Sequence, residues 1–178
     1  MTGPWSRREV LRAAGAAAAL AVVPGRAFAA DRPRSLAFES LHTGERLSIV
    51  YREADGYLPD ALAQLDHLLR DHRTGEVHPI APSLFDLLVD VRERVGANGP
   101  FEVVSGFRSR QTNDMLRSHS GGVARGSLHL VGQAVDVRLR GAETRALRQA
   151  AISLARGGVG WYPGPDFVHL DVGRVRTW

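Results

Sequence analysis

Ser127-Leu128-His129-Leu130-Val131-Gly132-Gln133-Ala134-Val135-Asp136 and Phe167-Val168-His169-Leu170-Asp171 are the two stretches that decide how this 178-residue chain is read. Gly132 permits a tight turn, so His129 on a loop and Asp136 on the following strand can converge on one point. Along that strand Ala134, Asp136 and Arg138 share one face, and Val135 and Val137 share the other. The later stretch alternates in the same way, with His169 and Asp171 on one face and Val168, Leu170 and Val172 on the other. An aspartate between valines in a strand is costly to bury unless a cation neutralises it. Two imidazoles and one carboxylate form the ligand set of a catalytic zinc that keeps a fourth position for water. Taken singly, either histidine reads as a hydrogen-bonded core residue; together with Asp136 they read as a metal set.

Working outward, Leu36 to Leu41 and Arg46 to Tyr51 are short alternating runs around His42-Thr43-Gly44-Glu45, which predicts a β-hairpin. Leu58, Leu62, Leu65, Leu68 and Leu69 recur at helical spacing and predict a helix ending near Arg73-Thr74-Gly75. Pro82-Ser83 opens a second helix, with Leu84, Leu87, Leu88, Val91 and Val95 on one face, and Gly96 to Pro100 stops it. Beyond it the pattern predicts a strand at Phe101 to Val104, a short helix at Arg110 to Ser118, and a glycine loop from Gly121 to Gly126. A strand at Ala134 to Leu139, a helix at Glu143 to Arg156, and strands at Gly158 to Trp161 and Phe167 to Val172 complete it. Helices early and strands clustered late indicate an α+β fold, a small antiparallel sheet with flanking helices.

All 23 basic residues are arginine, and there is no cysteine, so any metal must use nitrogen and oxygen ligands. Ser6-Arg7-Arg8-Glu9-Val10-Leu11 resembles a twin-arginine export signal. An alanine-rich apolar run from Ala13 to Val23 follows, too short for a comfortable membrane span, and Ala27-Phe28-Ala29 has the form of a signal-peptidase site. Residues 1–29 are therefore expected to be a twin-arginine signal peptide read by the export machinery, and residues 30–178 the mature domain in the periplasm or outside the cell. Removing that segment lowers the formal charge from +4 to about +1, and the remaining arginines are interspersed with acids. A nucleic-acid partner thereby loses its electrostatic basis. No stable membrane span is expected once the signal is cleaved.

The residues already quoted resemble a known family. Ser-x-His with His129-x6-Asp136, and Phe-Val-His-x-Asp near the C-terminus, look like the zinc D,D-peptidase and hedgehog-like metallopeptidase fold, and more closely the YcbK-like murein endopeptidases. Ser105-Gly106-Phe107-Arg108-Ser109, Thr112-Asn113 with Met115-Leu116, Gly157 to Pro163 and Asp171 to Trp178 fit in the same order. The resemblance implies a zinc peptidase acting on peptidoglycan stem peptides, most closely an endopeptidase of cross-links. A D,D-carboxypeptidase or dipeptidase of the same fold, and a non-catalytic zinc module that binds cell wall, are the alternatives. It implies zinc ligands at His129, Asp136 and His169, with Arg108 binding substrate and stabilising the oxyanion.

The general base stays open between two carboxylates. Family members often carry a Glu three residues before the last histidine, or a second histidine two residues from it; here those places hold Asp166 and Asp171. Asp171, on the strand face of His169, is the favoured base or supporting partner, and Asp166 follows a proline turn. A shifted register would make Asp171 the ligand and His169 the base. Ser127 and Trp161 are further candidates for substrate binding. Trp161 and Tyr162 are placed at the border of the groove, with packing at the strand end as the other explanation. His42, His67, His72, His78 and His119 are read as turn, surface or loop residues.

Overall fold

A computed structural model describes residues 32–119 and 124–178. The expected export signal at 1–29 and part of the glycine loop lie outside these residues. The chain runs β1 (Arg34–Ser40), β2 (Arg46–Glu53), β3 (Gly56–Tyr57), α1 (Pro59–Leu68), α2 (Pro82–Val95), β4 (Phe101–Ser105), α3 (Arg110–His119), β5 (Ala134–Leu139), α4 (Thr144–Leu154), β6 (Gly158–Tyr162), β7 (Phe167–Asp171) and β8 (Arg176–Thr177). A 3-10 turn at Leu128–Val131 precedes β5. No described helix is long and apolar enough to cross a membrane.

The α+β expectation holds, around one eight-stranded sheet in the order β3-β2-β1-β4-β5-β7-β6-β8. The sheet is mixed: β1 pairs parallel with β4, and β6 parallel with β8, while the other neighbours are antiparallel. Residues opposite each other in register share a face. Phe38, Phe101 and Leu139 therefore line up across three strands, as do Val103, Val137 and Val168 further along. These side chains are buried in one core with Leu84 and Leu88 of α2 and Leu147 of α4. Helices α1, α2 and α4 pack on the sheet, and their apolar side chains supply the other half of that core. The opposite face of β5, β7 and β6 is left to polar and aromatic residues.

Two small edge strands escaped the alternation pattern because two residues carry no period. β3 forms where Tyr57 sends its hydroxyl to the Asp86 carboxylate at 2.6 Å, next to Tyr51 at 2.8 Å, and so ties the hairpin to α2. The first helix stops at Leu68, short of the expected Arg73-Thr74-Gly75. The chain turns there instead, with Gly75 N–H donating to the Asp71 carbonyl and Arg73 N–H to the Asp71 carboxylate. That turn presents the Leu69 carbonyl to Phe107 N–H at 2.8 Å, which fixes the loop before α3.

Candidate metal centre

Strand register builds the site. Asp136 on β5 lies directly across from His169 on β7, and Ser105 on β4 lies across from Asp136. Because strand side chains alternate, Val135, Val137, Val168 and Leu170 go into the core, and Asp136 and His169 emerge together on the other face. His129 arrives from the 3-10 turn. Ser127 starts that turn, its hydroxyl accepting from His129 N–H at 3.4 Å. Gly132 closes it at φ 65°, packed so tightly on the Pro79 carbonyl that a Cβ would collide with it.

The three ligand candidates converge. His129 Nε2 lies 3.2 Å from Asp136 Oδ1 and 3.2 Å from His169 Nδ1, and His169 Nδ1 lies 2.9 Å from the same Asp136 oxygen. Among the described residues this is the one grouping of histidine and acidic side chains placed to hold a metal ion. The outer nitrogens determine the tautomers. His129 Nδ1 donates to the Gly106 carbonyl at 2.6 Å, and His169 Nε2 donates to Asp171 Oδ2 at 3.0 Å. With both rings neutral, the inner nitrogens turn lone pairs towards a carboxylate oxygen. One proton on His169 relieves one of the three close approaches, whereas a divalent cation relieves all three. The donor set therefore fits a metal of the zinc type, bound by nitrogen and oxygen with hydrogen-bonded outer partners.

The electrostatics agree. Burial lowers the pKa of His129 and keeps it neutral, as a ligand must be. Burial works against charge on His169 too, but its bonds to Asp136 and Asp171 outweigh this and raise its pKa. For Asp136, burial favours the protonated form, yet the two histidines and Arg108 hold it well below the usual carboxylate range. The spot between these side chains is one that favours positive charge.

Arg108 stands beside this group. Its backbone N–H donates to the His129 carbonyl at 3.1 Å, its Nε donates to Ser105 Oγ at 2.8 Å, and its NH2 pairs with Asp136 Oδ2. Its loop is anchored by Asp71, a buried carboxylate that accepts from Ser109 N–H at 2.9 Å. Arg108, Ser127 and the three converging residues all line one open cleft of about 600 Å³.

Neither expected base lines that cleft. Asp171 sits behind His169 with no exposed surface, and its oxygens also accept from Gly158 N–H, Gly173 N–H and both terminal nitrogens of Arg176. Burial alone would raise its pKa, but bonds from His169, Arg176 and the two glycine amides bring it below the ordinary value. It is His169, not Asp171, that joins the converging group. Asp166 adopts a left-handed φ of 55° after the proline turn, and its carboxylate accepts from Thr144 Oγ at 2.8 Å, at the start of α4.

Trp161 is a correction to the sequence reading. Alternation along β6 turns it to the core side, where it packs on the helices' apolar cluster and faces Arg148. The adjacent residue, Tyr162, lines the cleft instead. Asp71, Arg176 and Trp178 were missed as site residues. The spacing of Gly158 and Gly160 on one strand face was the available signal, since glycines there leave room for something to lie on the sheet. A Cβ on Gly160 would meet the Trp178 ring at 2.6 Å. Of the remaining histidines, His42 stacks on His72 and His78 on Phe107, and His119 ends α3 bonded to the Met115 carbonyl.

Residues 28–178 match the family described as peptidoglycan L,D-endopeptidase MepK. The chain is 41% identical over 176 residues to the peptidoglycan L,D-endopeptidase MepK of Escherichia coli (strain K12), covering 97% of each chain. It is 40% identical over 177 residues to the probable peptidoglycan L,D-endopeptidase MepK of Haemophilus influenzae, covering 97% of this chain and 95% of that one.

Proposed function

The chain belongs to the peptidoglycan L,D-endopeptidase MepK family, and from that premise we propose that it is a zinc-dependent peptidoglycan endopeptidase that hydrolyses amide bonds in stem-peptide cross-links. The observation that carries the reading is the meeting of His129 Nε2, Asp136 Oδ1 and His169 Nδ1 within 3.2 Å at one point, open to a cleft. His129, Asp136 and His169 would hold the metal. A zinc ion there would supply a Lewis acid and would lower the pKa of a water bound to it to about 7.

The chain's own residues do the rest. Asp171 fixes the His169 ring and tautomer from behind, the task of a carboxylate that backs a metal-bound imidazole. In this reading Asp171 takes the supporting role and not that of the base. Arg108 is held at two of its nitrogens by Ser105 and Asp136, so its cation is pre-placed where charge grows on the substrate carbonyl oxygen. Ser127 contributes cleft wall as well as the cap that sets His129. Asp166 belongs to the α4 junction. We assign residues 1–29 to a twin-arginine export signal and residues 30–178 to the peptidase domain, with delivery to the cell envelope where the substrate lies.

Digestion of purified, cross-linked muropeptides, followed by mass spectrometry with and without a chelator, tests this reading. The expected result is chelator-sensitive release of unlinked stems. Loss of terminal D-alanine alone would make the protein a carboxypeptidase, and unchanged muropeptides would make it a binding module.

A further inference from the structure

Tyr162 and Trp178 form a second arm of the cleft that the metal group does not explain. Register puts Tyr162 opposite Phe167, on the same sheet face as His169. Its ring stacks on Phe167 at 4.6 Å between centroids, nearly parallel. Trp178 is brought alongside by the parallel pairing of β8 with β6 and by backbone bonds to Val159 and Trp161. Its ring lies over Gly160 and 5.2 Å from the His169 ring, and Arg176 covers it at 4.9 Å. The indole Nε1–H donates to the Tyr162 hydroxyl at 2.8 Å. Indole is a donor only, so the hydroxyl oxygen is occupied as acceptor and its own proton remains to be donated.

We infer that Tyr162 is a substrate-positioning residue, its hydroxyl donating a hydrogen bond to an oxygen of the bound stem peptide, and that Trp178 acts through it by orienting that hydroxyl. The inference rests on the proposed endopeptidase function. It is specific to Tyr162 because the hydroxyl is fixed in place on two sides, by Phe167 stacking and by the indole, before any ligand arrives. A donor held this way costs little further ordering when substrate binds. A peptide offers carbonyl and carboxylate oxygens as acceptors and so suits a row of donors formed by Arg108 on one side of the cleft and Tyr162 on the other.

The test is a double-mutant cycle on the zinc-loaded protein. Tyr162→Phe keeps the ring and its stacking and removes only the donor. Trp178→Phe keeps an aromatic ring over Gly160 and removes only the indole N–H. Tyr162→Phe is expected to raise KM for a cross-linked muropeptide roughly fivefold, the scale of one neutral hydrogen bond, with kcat within about twofold and zinc content unchanged. Binding of the product disaccharide-peptide, measured by calorimetry without turnover, should weaken by a similar factor. Trp178→Phe should raise KM in the wild-type background and do nothing further in the Tyr162→Phe background. Wild-type KM and product affinity in Tyr162→Phe would overturn the role of Tyr162. Equal effects of Trp178→Phe in both backgrounds would overturn the coupling and leave Trp178 a packing residue. A wild-type protein that neither binds nor cuts muropeptides overturns the endopeptidase function itself and this inference with it.

Discussion

His169 donates its Nε2 proton to Asp171 across 3.0 Å, and that single bond determines which nitrogen of His169 is left to face Asp136. Asp171 is tied in turn to Arg176 at 2.6 Å, so imidazole, carboxylate and guanidinium form a chain running away from the cleft. A general base needs access to the water it deprotonates, and Asp171 has none. We therefore expect Asp171→Asn to act through the metal: zinc affinity falls roughly 10- to 100-fold, and saturating zinc restores much of the turnover. Zinc titration followed by cleavage assays checks this. Full zinc occupancy with turnover still abolished would return Asp171 to the role of base.

Substitution of the converging side chains follows a different pattern. His129→Ala, Asp136→Ala and His169→Ala each remove one of the three proposed metal donors, and each should abolish stoichiometric zinc binding and cleavage together. Elemental analysis of the purified variants measures the first, muropeptide digestion the second. Stoichiometric zinc and normal turnover in any of the three would remove that residue from the set.

Asp166 tests the alternative base. Its carboxylate bonds Thr144 at the start of α4, and its backbone is left-handed, a conformation that asparagine tolerates as well as aspartate does. Asp166→Asn should leave kcat/KM within about threefold of wild type, since it alters no group in the cleft and keeps an acceptor for the hydroxyl. A dead, zinc-loaded Asp166→Asn protein would place the base three residues before His169.

The parts of this site legible in the sequence were those with a period or a spacing. Alternation in β5 and β7 separated the valines of the core from Asp136 and His169, and the turn at Gly132 brought His129 round to them. Trp161 was misplaced because adjacent aromatics on a strand differ only by which face each takes, and register, set by partners distant in sequence, decides that. The β8 pairing that delivers Trp178 is two residues long and parallel, so no pattern announces it. Asp71 was invisible for another reason: its partners Arg73 and Ser109 meet it only after the chain turns out of α1.

Arg108 presents a fork rather than a point charge, and lysine cannot reproduce it. Its Nε serves Ser105 while NH2 serves Asp136, so a lysine at this position can satisfy one partner at most. Arg108→Lys should keep zinc and lower kcat by roughly 100-fold, the scale of losing a pre-placed oxyanion donor. Single-turnover cleavage with zinc content measured in parallel checks it; a change confined to KM would make Arg108 a binding group alone.

Asp71 links stability to the placement of Arg108. Burial by itself would raise its pKa, but the hydroxyls of Thr112 and Ser109 and the backbone amides of Arg73 and Ser109 hold it far below the ordinary carboxylate value. A carboxyl whose pKa is depressed by folding contributes stability that is fully present above the unfolded value, about 3.9. That contribution is lost as pH falls from there through the folded value. Asp71→Asn presents an NH2 group to one of two amide donors that the carboxylate now accepts, and at pH 7 should cost about 1–3 kcal/mol. The gap between wild type and variant should be constant above about pH 5 and close progressively below pH 4, as the wild-type carboxylate is titrated. Urea unfolding at a series of pH values measures it. A gap that stays unchanged into strong acid would mean that Asp71 stabilises the Arg108 loop by shape and not by charge.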